Sequence, residues 1–452
     1  MSKSKSAFVC SACGAVASKW AGQCADCGAW NTLTESLHPP VTTGRSGYAG
    51  QVPQVRLLGE VEEAQDPRTP TGVGEMDRVL GGGLVPGAVI LIGGDPGIGK
   101  STLLLQLAVG LQDRLPALYV AGEESLQQIA LRARRLGLPQ APLALVSETA
   151  VERIVACAQA RRPGLMVIDS IQTMYTEQLP GAPGSVSQVR ESAAQLVRFA
   201  KQSGIVVVLI GHVTKDGTLA GPRVLEHMVD TVLSFESDHG GRYRMLRAVK
   251  NRFGAVNELG VFAMTDAGLK EVAHPSAIFL SRHDQSAAGS VVTCIREGSR
   301  PLLLEVQALV DDSPLANPRR LTVGLEHNRL AMLLAVLHRH GGVPLFNQDV
   351  FLNVVGGIRV SETAADLPVA AVVVSSLRNR PIPQHTVIFG ELGLSGEVRP
   401  VPYGEERLRE AAKHGFTRAL VPLANVPRRG AAIGGMAVQG LGNLAGLLDA
   451  LA

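Results

Sequence analysis

GAVILIGGDPGIGKSTLLLQLAVGLQ, residues 87–112, decides the fold. Residues 87–94 are apolar or glycine throughout, at the length of one strand buried on both faces. Residues 101–112 carry leucine at helical spacing and read as a helix. Between them, Gly94-Asp95-Pro96-Gly97-Ile98-Gly99-Lys100-Ser101 fits G-x-x-x-x-G-K-[ST]. The glycines let backbone N–H groups turn inward onto phosphate oxygens. Lys100 is placed for the β- and γ-phosphates and the Ser101 hydroxyl for Mg²⁺. The helix that follows aims its positive end at the anion. A strand before and a helix after are the context this loop needs, so ATP and Mg²⁺ are the expected ligands.

Outward from this unit the alternation repeats. ALYVAGEE (117–124), LALVSE (143–148), GLMVIDSI (164–171) and IVVVLIGHV (205–213) read as strands. SLQQIALRARRLG (125–137), AVERIVACAQARR (150–162) and SVSQVRESAAQLVRFAKQSG (185–204) read as the helices between them. Apolar strands alternating with helices predict a mostly parallel sheet covered on both faces. Near residue 230 the pattern changes, and TVLSFES (231–237), YRMLRAVKNRF (243–253) and GVFAMTDAGL (260–269) read as antiparallel strands at one edge. Asp169 ends an apolar strand, where a carboxylate can hold the Mg²⁺ shell. Glu123 and Glu124 end another, and one of them can polarise an attacking water. An acidic pair at a helix N-terminus is also what the helix dipole favours by itself.

Cys10-x₂-Cys13-x₁₀-Cys24-x₂-Cys27 gathers four of the six cysteines. Gly14 and Gly28 follow the two pairs and ease a tight knuckle. Four thiolates suit a structural Zn²⁺, with a redox CxxC or an iron–sulfur site as the rivals. The segment has too few apolar residues to fold alone, so metal would supply about 10–16 kcal/mol. Cys157 and Cys294 stand apart and read as small buried apolar residues. The cysteine clustering, an opening MSKSKSAFVCSACG without a signal core, and the lack of any apolar run of ~18 residues point to a cytoplasmic chain with no membrane span. A net charge of +3 does not reveal a nucleic-acid partner. Residues 36–65 are Pro/Gly/Ser/Thr-rich and read as a linker. Beyond a composition break at 273–289 come three strands, the helix HNRLAMLLAVLHRHG (327–341), and a strand–helix–strand–helix–strand series to about residue 423.

The four-cysteine ribbon, RTPTGVGEMDRVLGGGLVPGAVILIGGDPGIGKST (68–102), YVAGEES (119–125), VIDSIQTMY (167–175) and Lys250-Asn251-Arg252-Phe253-Gly254 occur in this order. Together they resemble the bacterial RadA (Sms) family of DNA-repair ATPases, related to RecA, along essentially the whole chain. The resemblance implies a RecA-like core in a homo-hexameric ring, with nucleotide between subunits. It implies that Lys250 and Arg252, at the end of an edge strand, complete the neighbour's site. By themselves they would read as a solvated pair. It favours Glu123 over Glu124 as the water-activating group and makes His212 a γ-phosphate sensor, although a lone histidine is often structural. It further implies branch migration of recombination intermediates, single-stranded and branched DNA as substrates, and RecA as a partner. The loops at 176–188 and 213–223 would face DNA, the second with Lys215 and Arg223. Residues 347–377 and 389–422 resemble the Lon protease domain, but the stretch Glu362-Thr363-Ala364-Ala365-Asp366-Leu367-Pro368 lacks the serine nucleophile, and Gly404-Glu405-Glu406-Arg407 has acid where the lysine base belongs. That domain is expected to be proteolytically inactive, with Arg319 and Arg320 as candidate DNA contacts.

The expected organisation is α/β: a zinc ribbon (1–35), a linker (36–65), a RecA-like P-loop ATPase domain (66–272) and a Lon-protease-like α+β domain (273–452). The expected activity is DNA-dependent ATP hydrolysis of the helicase type. The alternatives are an ATP-dependent protease, which the missing dyad disfavours, and a non-motor switch in which ATP orders a surface for the ribbon.

Overall fold

Three short strands open the described chain: β1 (Ala7–Cys10), β2 (Val16–Ala17) and β3 (Leu33–Ser36), with β1 antiparallel to both others. The computed structural model describes residues 7–12, 15–17, 19–36, 67–138, 141–211, 224–237, 242–280, 287–315, 317–427 and 432–452. Two units emerge, residues 1–237 with 242–271, and residues 238–241 with 272–452.

The first unit is built on β4 (Val89–Gly94). Its alternate residues face opposite cores. Ile90 and Ile92 pack with Leu103, Leu104 and Leu107 of α2 (Lys100–Gly110), while Val89 and Leu91 pack with Leu196, Val197 and Ala200 of α5 (Val186–Ser203). Burying each such side chain on both sides of a strand is worth about 1.5–3 kcal/mol. Between α2 and α5 run β5 (Ala117–Ala121), α3 (Leu126–Arg135), β6 (Ala144–Ser147), α4 (Val151–Arg161) and β7 (Leu165–Asp169). Then follow β8 (Val206–Ile210), α6 (Val224–Met228), β9 (Thr231–Ser237), β10 (Tyr243–Asn251), β11 (Leu259–Thr265) and β12 (Gly268–Glu271). The helix α1 (Gly74–Leu80) precedes β4. The nine-stranded sheet has the order β12-β11-β10-β9-β4-β8-β7-β5-β6, parallel from β9 to β6 and antiparallel from β9 to β12.

Two expectations change here. Lys250 and Asn251 end β10, with Arg252 directly after it, and β10 is an inner strand, because GVFAMTDAGL continues the sheet as β11 and β12. Cys157 is exposed, because α4 buries Val151, Ile154 and Ala158 and turns the Cys157 position outward. Cys294 is buried as expected.

In the second unit, β13 (Ser290–Glu297), β14 (Arg300–Asp312), β15 (Arg320–Val323), β16 (Gln348–Val354), β17 (Thr386–Ile388) and β20 (Arg418–Pro422) share a mixed eight-stranded sheet. β18 (Glu391–Leu392) and β19 (Val398–Arg399) form a separate hairpin. The central helix α8 (Asp366–Leu377) is buried over nearly its whole length and packs beside α7 (His327–Gly341); α9 (Gly404–Lys413) also belongs to this unit. Past residue 423 the structure adds β21 (Ala432–Ile433), β22 (Met436–Leu441) and α10 (Leu444–Ala450). The glycines of GGMAVQGLGN break up their periodicity in the sequence. Among the described residues no helix is long and apolar enough to cross a membrane.

Candidate nucleotide and metal sites

The loop between β4 and α2 needs its glycines for separate reasons. Gly97 and Gly99 adopt φ of 76° and 115°, backbone that side chains resist. A Cβ on Gly94 would lie 2.5 Å from the Phe235 carbonyl oxygen. Lys100 is buried and donates from Nζ to the carbonyls of Gly94 (2.7 Å) and Asp95 (2.9 Å). Burial holds its pKa below the ordinary lysine value, opposed by the nearby charges of Asp169, Glu123 and Asp95. An ammonium resting on loop carbonyls, next to three carboxylates, is a cation held ready for phosphate.

Asp169 ends β7, two strands from β4, and is 7 % exposed. Burial raises its pKa, while hydrogen bonds from the Tyr119 and Ser101 hydroxyls oppose that rise. Tyr119 donates to Asp169 Oδ2 at 2.5 Å, and its own ionisation is pushed well above the ordinary tyrosine value by burial and by the carboxylate, so it remains a donor. Ser101 and Asp169 thus meet as a hydroxyl and a carboxylate suited to Mg²⁺. The two glutamates separate. Glu124 is engaged by Arg132, whereas Glu123 accepts from the Ser170 hydroxyl and lies near enough to Lys100 to act on its charge. The structure therefore brings together Lys100, Ser101, Glu123 and Asp169. Sequence reading missed Tyr119 and Ser170. A tyrosine inside an otherwise aliphatic strand was the available signal for the first.

Lys250 and Arg252 lie elsewhere. β9 runs parallel to β4 with Leu91 level with Val232, and Lys250 pairs with Val232 across a bulge that begins after Ala248. β10 then runs on toward the start of β4, so Arg252 sits at the end of the sheet opposite the loop. Lys250 donates from Nζ to the carbonyls of Glu226 and Val229 (2.7 Å each), at the end of α6. Arg252 pairs with Asp230 at 3.3 Å, and Asp230 also receives Lys201 (2.6 Å) and the backbone N–H of Val89 (2.9 Å). Arg68 donates to the Phe253 carbonyl, and Gly254 lies against Gly81, where a Cβ on Gly254 would meet Gly81 Cα at 2.9 Å.

In the ribbon, the sulfurs of Cys10, Cys24 and Cys27 lie within 4.8 Å of one another, with Cys10 and Cys27 at 3.7 Å. Sulfurs on a tetrahedral Zn²⁺ at ~2.3 Å are ~3.8 Å apart, so the donor set fits zinc. Cys13 lies outside the described residues, as do His212, Lys215 and Arg223. Arg319 is partly exposed and bonded to Asp349 through Nε (2.9 Å) and Nη2 (2.7 Å), and Arg320 donates to the Leu345 carbonyl (2.8 Å). In the Lon-like stretches, Asp366 is clamped by Arg329, and Glu362 by the buried Arg407.

Residues 8–35 match the rubredoxin metal binding domain, 74–218 the AAA domain, and 331–425 the subunit ChlI of Mg-chelatase. The chain is 64 % identical over 453 residues to DNA repair protein RadA of Pseudomonas aeruginosa, covering 100 % of both. It is 58 % identical to DNA repair protein RadA of Escherichia coli, covering 98 % of each, and 48 % to that of Bacillus subtilis, covering 94 % of each. With a metal-binding ribbon, a P-loop ATPase core and a ChlI/Lon-like third part matched in order, the chain belongs to the RadA family of DNA repair ATPases.

Proposed function

We propose that the chain is a DNA-dependent ATPase that drives branch migration of recombination intermediates alongside RecA, working in the cytoplasm as a homo-hexameric ring. The observation that carries this reading is the separation of Lys250 and Arg252 from their own nucleotide loop. Two cations at the far end of the sheet have no part in their own site, which suits service to a neighbour's. Within each site, Gly94 to Ser101 wraps the phosphates, and Lys100 leaves the Gly94 and Asp95 carbonyls for the β/γ-phosphates. Ser101 and Asp169 would hold Mg²⁺, which supplies charge neutralisation on the transferring group. Glu123, aimed by Ser170, accepts the proton of the attacking water. Residues 66–272 form the motor domain and 1–35 a zinc ribbon for partner contact. Residues 273–452 form an inactive Lon-like scaffold; the salt-bridged Glu362 and Asp366 offer no nucleophile. Lys215, Arg223, Arg319 and Arg320 are the assigned DNA contacts; a phosphate at Arg319 would share it with Asp349.

The test is ATP turnover with and without single-stranded DNA, followed by branch extension on a three-stranded junction. Turnover without strand displacement would favour the switch reading, and casein degradation the protease reading.

A further inference from the structure

Asp169 is held from two sides, and only one of them belongs to the nucleotide loop. The Ser101 hydroxyl reaches it from the start of α2. The other hold comes from Tyr119, in the middle of β5. On the paired strands Tyr119 is level with Val167 and Ala121 with Asp169, so Tyr119 and Asp169 are two residues apart on the same face, the one covered by α2. The ring is fully buried among aliphatic side chains. A role limited to filling that core would need no hydroxyl, and a phenol buried without a partner costs ~1–3 kcal/mol. Here the hydroxyl donates to Asp169 Oδ2 at 2.5 Å.

We propose that Tyr119 is a positioning residue for Mg²⁺-dependent hydrolysis, its buried hydroxyl fixing the Asp169 carboxylate in the orientation that meets the ion. The inference rests on the assignment of Asp169 and Ser101 to Mg²⁺. A carboxylate with one oxygen committed to a rigid neighbouring strand cannot swing about its terminal torsion. The metal then finds its ligand already turned toward Ser101. Groups that orient metal ligands in this way typically govern ~10–100-fold in metal affinity.

The experiment compares the full chain with Tyr119→Phe, Asp169→Asn and the double variant. Mn²⁺ binding in the presence of ADP is followed by electron paramagnetic resonance, beside ATPase rates over a Mg²⁺ range. Tyr119→Phe is expected to weaken Mn²⁺ about tenfold and to raise the Mg²⁺ needed for half-maximal rate equally. Its melting temperature and its KM for ATP at saturating Mg²⁺ should stay near wild type. The double variant should bind Mn²⁺ no more weakly than Asp169→Asn alone, since the hydroxyl acts only through that carboxylate. If Tyr119→Phe binds Mn²⁺ as the wild type does while Asp169→Asn does not, the positioning role is overturned and the site assignment stands. If Asp169→Asn itself binds Mn²⁺ normally, both fall. Should the phenylalanine variant melt early, 3-fluorotyrosine at position 119 keeps ring and donor. Retained Mn²⁺ affinity there supports the role, and a tenfold loss overturns it.

Discussion

Replacing Lys250 by alanine tests the arrangement most directly. Lys250 is level with Leu91, three residues short of Gly94 on β4, and lies two strands away on β10. That is about 10 Å back along the sheet and about 10 Å across it, roughly 14 Å from the start of its own loop. Its ammonium is moreover hydrogen-bonded at the end of α6, away from that loop. Lys250→Ala should therefore leave ATP binding within about twofold of wild type, measured with a fluorescent nucleotide. Loss of a cation serving the transferring phosphoryl group typically lowers turnover by ~10³-fold or more. Lys100→Ala subunits should be equally inactive because their own loop fails. Mixed in equal amounts at random, the two variants pair an intact loop with an intact Lys250 at about a quarter of the ring interfaces. Hydrolysis should rise to about a quarter of wild type, far above either variant alone. If native mass spectrometry shows both variants in one ring and turnover stays at the single-variant level, the trans assignment is wrong, and Lys250 acts through α6 in its own subunit.

Other consequences are open to simple measurement. Ser170→Ala should lower kcat about tenfold with ADP affinity unchanged, because only the aim of Glu123 is lost; an unchanged kcat would remove Ser170 from the site. Cys24→Ala should abolish zinc retention by metal analysis and unfold the ribbon, while the ATPase core keeps its nucleotide affinity; zinc-free wild-type protein with an intact ribbon fold would contradict this. Arg407→Ala should cost the second unit about 1–3 kcal/mol in urea unfolding, since among the described residues Glu362 keeps only the Arg296 N–H as a donor and the Cys294 carbonyl loses one; a shift under ~0.5 kcal/mol would mean the pair contributes little.

The loop and its flanking elements were legible because they are local: Gly94 to Ser101 carries its meaning in eight consecutive residues. Glu123 and Asp169 were legible as strand-end carboxylates, since an apolar run stopping at an acid marks a strand terminus. The choice between Glu123 and Glu124 gains a physical argument only from the fold, which turns Arg132 of the adjoining α3 onto Glu124 and brings Ser170, after β7, to Glu123. Tyr119 was hidden for a related reason. Its meaning depends on β5 lying next to β7, and strand order is not written in any one segment. The inner position of β10 was missed because the strand that GVFAMTDAGL pairs with is not written in its own residues; β11 adds to β10 and leaves the edge to β12. Cys157 was misread because one cysteine in an amphipathic helix gives no clue to its face until the buried stripe of Val151, Ile154 and Ala158 is known.

The contact between Gly81 and Gly254 has a consequence for how such a chain can drift. The two positions are 173 residues apart, yet each occupies the space a methyl group on the other would need. Gly81 also has a left-handed φ of 79°, so its substitution is strained even where room is made. A single accepted change at either position would have to push the backbone after Phe253 away from the turn after α1, carrying Arg252 with it. The pair therefore behaves as one inherited character: a lineage that gives up either glycine should also show a reshaped turn at 81–83 or a displaced end of β10, and chimaeras that exchange one half of the contact between distant relatives should lose activity even when both halves are intact at home.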